Sequence, residues 1–174
     1  LFSMMTEVQV DAGGNVLLTD ASSYPGQLLF RDAETREWKV IGRHGKGPGE
    51  LEFPGRAWTS PEGLHVADNA TQRETVYSRD GSYINSYALP GMPTHVISLQ
   101  DGQSVHASVV RTPESAGYPL HLLDASRTPV LSFGADTAML LPGARLLGMR
   151  VIAAAADGGI WSARYNAYTI EKWS

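Results

Sequence analysis

Residues Ile41–Pro54 read IGRHGKGPGELEFP, and the reading of this stretch decides the fold. Glycines stand at 42, 45, 47 and 49, prolines at 48 and 54, and Arg43, His44 and Lys46 lie between them. Glycines and cations together suggest a phosphate cradle. A Walker-type loop, however, needs Gly-Lys followed by Ser or Thr, whose hydroxyl completes the metal contact. Here Lys46 is followed by Gly47, and the glycine spacing does not give G-x-G-x-x-G either. The stretch therefore reads as a connector, in which glycines permit positive φ along a tight path between strands. Phe53 is then expected to pack between successive units and Pro54 to stiffen the entry to the next strand.

Working outward, a weak repeat appears. DAGGNVLLTD (11–20), SPEGLHVADN (60–69), LQDGQSVHAS (99–108) and AADGGIWSAR (155–164) share a polar turn ending in glycine, then a short strand. The marker glycines are Gly14, Gly63, Gly102 and Gly158. They lie roughly 40–55 residues apart, close to the ~40–50 residues of a four-stranded propeller blade. One strand precedes each marker, a second begins after it, a third follows as GQLLFRD, ETVYSRDG, YPLHLLDAS and YTIEKW, and a fourth follows three of these as EWKVIG, SYINSYAL and PVLSFG. RVIAAAAD has helical composition, but it fills the first-strand slot of the repeat and is read as a strand. DTAMLLPGARLLG (136–148) could make a helical turn broken at Pro142–Gly143.

The expected fold is all-β: a propeller of four-stranded antiparallel blades, roughly 6–54, 55–92, 93–148 and an incomplete 149–174, treated as one domain. The fourth unit stops after its third strand, and an open blade edge leaves backbone groups unpaired. An incomplete arc of a six-bladed ring, part of a longer chain, is the expectation.

Bulk properties narrow the function. Hydrophobic residues make up 43% and charged residues 18%, with a formal charge of −4. That balance argues against a nucleic-acid partner, which requires a basic field. There is no cysteine, so disulfides and thiol nucleophiles are excluded. No apolar run is long enough to form a transmembrane segment, and LFSMM at the N-terminus is not a signal peptide.

From Ile41 to Gly81 the chain resembles an NHL repeat: glycine-rich connector, Phe-Pro, strand, D-G-x-hydrophobic-x-V-A-D, polar turn with arginine, strand, Asp-Gly. The matching positions are Gly42, Gly45, Gly47, Gly49, Phe53, Pro54, Gly63, Val66, Ala67, Asp68, Asn69, Arg73, Val76, Asp80 and Gly81. The later units lack the V-A-D ending. The resemblance is to bacterial six-bladed NHL-like propellers and implies an extracytoplasmic, periplasmic or secreted, protein.

Candidate chemistry is sparse. Arg43, His44 and Lys46 could meet an anionic group, and His95 lies at the start of an inner strand, where propeller channels hold ligands. Asp20 and Asp68 end second strands and read as turn caps. His65 and His106 hold equivalent positions and read as packing analogues. The tryptophans at 38, 58, 161 and 173 read as core. No catalytic set, metal-ligand set or cofactor motif can be assembled. The expected function is a non-enzymatic interaction module for a protein or small ligand, with docking to a larger envelope assembly open. The alternative is a metal-dependent hydrolase or lyase with a divalent ion in the channel.

Overall fold

The computed structural model describes residues 5–20, 26–136, 149–165 and 167–174. The turn considered at 136–148 lies almost wholly outside the described residues. The chain forms two compact units, Leu1–Leu89 and Pro90–Ser174.

The first unit holds two four-stranded antiparallel sheets. One contains β1 (Met5–Val10), β2 (Val16–Asp20), β3 (Gln27–Arg31) and β4 (Trp38–Ile41), paired in sequence order. A short connector ladder follows, β5 (Arg43–His44) with β6 (Glu50–Leu51). The second sheet contains β7 (Pro54–Ser60), β8 (Gly63–Asp68), β9 (Arg73–Tyr77) and β10 (Tyr83–Ala88), again in order. All six residues of β8 are buried, because neighbouring strands flank it and both sheet faces are covered. Leu64 and Val66 join Leu17, Leu28, Phe30, Ile41, Leu51, Ala57 and Tyr77 in one core drawn from both sheets. Each large apolar side chain so buried contributes about 1.5–3 kcal/mol.

The second unit holds β11 (Pro93–Ser98), β12 (Ser104–Ser108), β13 (Leu120–Leu123) and β14 (Pro129–Phe133) in one sheet. A three-stranded sheet follows: β15 (Arg150–Ala154), β16 (Ile160–Arg164) and β17 (Ile170–Trp173). Val105, Ala107, Leu120, Ile152 and Ile160 form its core, with Leu99, Leu122, Phe133 and Trp173 packed against it. The alanine-rich segment is thus a strand: β15 pairs with β16 from Arg150↔Arg164 to Ala154↔Ile160. Cross-strand pairing overrides its helical composition.

All four marker glycines have positive φ: +80° at Gly14, +147° at Gly63, +72° at Gly102 and +85° at Gly158. Gly63 is the most constrained, since a Cβ there would lie 2.1 Å from the Tyr77 carbonyl oxygen. Some expected packing differs. Phe53 is 42% exposed, and Leu51, two residues earlier, enters the core instead. Trp38 and Trp161 are 47% and 43% exposed, whereas Trp58 is buried.

The hairpin turns are held by aspartates that accept local hydrogen bonds. The Thr35 N–H holds the Asp32 carboxyl below its ordinary range. The Ser78 hydroxyl does so for Asp80, Ser126 for Asp124 and Lys172 for Asp157. Each depressed group lends stability above its unfolded-state value and loses it as pH falls through the folded value. Glu7 opposes this trend, because burial raises its carboxyl despite the Arg56 charge.

Two outcomes follow. Gly63→Ala should destabilise the fold by about 2–3 kcal/mol, from positive φ and backbone collision together, as read by urea unfolding. The melting temperature should fall on acidification from about pH 5 to about pH 3, as read by circular dichroism, with Asp32→Asn flattening part of that slope.

Candidate functional site

The glycine connector closes around a carboxylate of its own. Arg43 and His44 pair in parallel with Glu50 and Leu51. The Glu50 carboxylate accepts the Gly47 N–H at 2.8 Å and the Arg43 Nε–H at 2.8 Å. A Cβ on Gly45 would lie 2.1 Å from Glu50 Oε2, so the glycines make room for this side chain. The Gly47 N–H, first among several donors, holds the Glu50 carboxyl below its ordinary range. Lys46 pairs with Glu52 at 3.2 Å, and His44 is exposed. The place a phosphate would take is filled by the protein's own anion. The loop is also tied to the blade: Tyr77 donates to the Gly49 carbonyl at 3.1 Å and Arg73 to that of Gly47 at 3.2 Å.

Asp68, at the end of β8, is fully buried. Its Oδ2 accepts the N–H groups of Glu52 (2.6 Å) and Phe53 (3.0 Å), and its Oδ1 those of Ala70 and Thr71 (both 2.9 Å). One carboxylate thus gathers the connector and the next turn. Asp20 is buried at the end of β2. His95 is half-buried on β11, beside the irregularity between Pro93 and His95. The structure brings Arg43, His44 and Lys46 together on the connector, whereas His95 lies in the other unit. Among the described residues, no group of three or more His, Asp or Glu side chains is placed to hold a metal ion.

Sequence reasoning missed a polar relay in the first unit. The Ser60 Oγ lies 2.6 Å from His65 Nε2, and His65 Nδ1 lies 2.8 Å from Glu74 Oε1. Trp58 stacks on the imidazole, with ring centroids 5.3 Å apart and planes 12° from parallel. Strand register explains the assembly. Trp58 opposes His65, which in turn opposes Val76, and Glu74 lies two positions from Val76 on the same face. The signal available was this alternation over three neighbouring strands, not a contiguous motif. In the second unit, His106 Nε2 meets Ser104 Oγ at 3.0 Å, and His121 Nδ1 meets Ser132 Oγ at 2.8 Å. Burial pushes the His121 imidazole below its ordinary value.

The second unit also contains an apolar cavity of about 250 Å³, walled by Leu99, Val105, Leu122, Leu131, Phe133 and Trp173. Phe133 and Trp173 meet edge to face at 5.4 Å. The indole N–H of Trp173 donates to Ser162 at 3.0 Å, so this polar edge is already satisfied and the ring is fixed as a wall.

No family model matches the chain, and no curated protein does so. Solved structures do. A candidate exported protein from Bacteroides fragilis superposes with a TM-score of 0.71 at 15% identity, over 99% of this chain and 48% of that one. Virginiamycin B lyase from Staphylococcus aureus gives 0.60 at 14% identity, over 98% and 55%. A member of the DUF4221 family from Bacteroides vulgatus gives 0.60 at 12% identity, over 98% and 55%. These likenesses establish the fold as an all-β propeller of the kind found in bacterial proteins. The chain spans about half the length of these structures.

Removing the gathering carboxylate leaves four backbone donors without their acceptor. Asp68→Ala should cost about 3 kcal/mol or more, as measured by urea unfolding, whereas Lys46→Ala on the same connector should change stability by less than about 0.5 kcal/mol.

Proposed function

We propose that this chain is the binding part of an NHL-like, six-bladed propeller protein located outside the bacterial cytoplasm, and that it recognises a small apolar molecule. The apolar cavity of the second unit carries this reading. Fold alone does not define activity, so the argument rests on the wall chemistry. Small-molecule sites are concave and mostly apolar, and this cavity suits an uncharged ring system. Its aromatic pair supplies rigid contact area at low entropic cost. The resemblance over Ile41–Gly81 supports the NHL affiliation. The location draws on that resemblance and on the exported class of the Bacteroides fragilis neighbour.

The expected result is saturable binding of the neutral fluorophore N-phenyl-1-naphthylamine, with energy transfer from tryptophan that Trp173→Leu diminishes. Leu131 is 55% exposed at the cavity wall, so Leu131→Asp can place a charge there without unfolding the sheet. That variant should weaken binding at least about tenfold. Failure of the fluorophore to bind, or binding that Leu131→Asp leaves unchanged, would remove the cavity as the site.

A further inference from the structure

The relay in the first unit has a geometry that support of a hairpin does not require. We infer that Ser60 is an activated hydroxyl nucleophile, with His65 as its base and Glu74 positioning that base, and that it accepts acyl groups from small activated esters. This stands independently of the cavity, which lies in the other unit.

Three observations carry it. The order of contacts is hydroxyl, imidazole Nε2, imidazole Nδ1, carboxylate, at 2.6 and 2.8 Å. This is the order in which a base takes a hydroxyl proton while a carboxylate fixes its tautomer and balances the resulting imidazolium. His65 and Glu74 are 1% and 0% exposed, and Trp58 covers the ring face. The imidazole is therefore held in one orientation, away from competing water. Ser60 itself is half-exposed, at the end of β7, and the two residues that follow it are exposed. The hydroxyl is thus open to a reagent while its activating partners are not.

The step balances with water as the only co-reactant. The Ser60 Oγ adds to the ester carbonyl carbon as its proton passes to His65 Nε2. The tetrahedral adduct then expels the alcohol, which takes that proton, and the acyl group stays on Oγ. Water attacks the acyl-serine by the same route, releasing the carboxylic acid and restoring the hydroxyl.

The test uses the whole chain and p-nitrophenyl butyrate at neutral pH, with nitrophenol release followed by absorbance and the adduct located by peptide mass spectrometry. The expected result is a butyryl group on the Ser60 peptide and none on Ser104, whose hydroxyl also meets a histidine but is buried. Ser60→Ala should lower nitrophenol release at least about tenfold with an unchanged circular dichroism spectrum. Glu74→Gln should lower the maximal acylation rate by a similar factor while leaving the ester concentration for half-maximal rate unchanged, the signature of a positioning role. Absence of an adduct at Ser60 in the folded protein, or a Ser60→Ala rate equal to that of the parent, would overturn the assignment. A purely structural relay gives that second result, because it loses only stability in the variant.

Discussion

The first unit depends on one buried carboxylate. Asp68 receives two N–H groups from the connector that enters its sheet and two from the turn that leaves its strand. Charge-assisted bonds of this kind are about twice as strong as neutral ones, and inside the protein they face little competition from water. Connector, strand and turn are thereby fixed to a common point. Leu51 then enters the core beside Leu64 and Val66, and the Ser60–His65–Glu74 row forms across β7, β8 and β9 on the opposite face. The relay is a consequence of that fixed register more than of any local motif.

Much of the fold was legible because its signals are local. A polar turn, a glycine with positive φ and a strand of alternating character recur four times, and each needs only neighbouring residues to be recognised. The connector was legible for the same reason, since the missing Ser or Thr after Lys46 ruled out the phosphate reading. The positioned side chains were less so. Phe53 looked like the inter-blade plug, but the parallel β5–β6 ladder turns Leu51 inward and leaves Phe53 toward solvent. Trp38 and Trp161 looked like core by size, yet both are exposed on their strands. The relay could not be found by spacing, because Ser60, His65 and Glu74 meet only through pairing of three strands.

Polar interiors distinguish the two units. The first buries a His–Glu pair, and the second buries histidines that share hydroxyls and a backbone carbonyl. Burying a carboxylate demands a donor within reach, which His65 provides for Glu74. The apolar cavity in the second unit reflects the reverse situation. The Trp173 N–H donates to Ser162, so the wall presents mainly hydrocarbon and aromatic surface.

The contact between Gly63 and the Tyr77 carbonyl reaches beyond the residue itself. Sheets are vulnerable to slippage, because a shift of one place reverses which side chains face inward. Here any such shift of β8 against β9 would carry a side-chain-bearing neighbour, Glu62 or Leu64, into a space that admits no Cβ. Glycine thus works as a tally mark between the two strands: the hairpin can close in one alignment, and misaligned partners are rejected by collision before hydrophobic contacts could reward them.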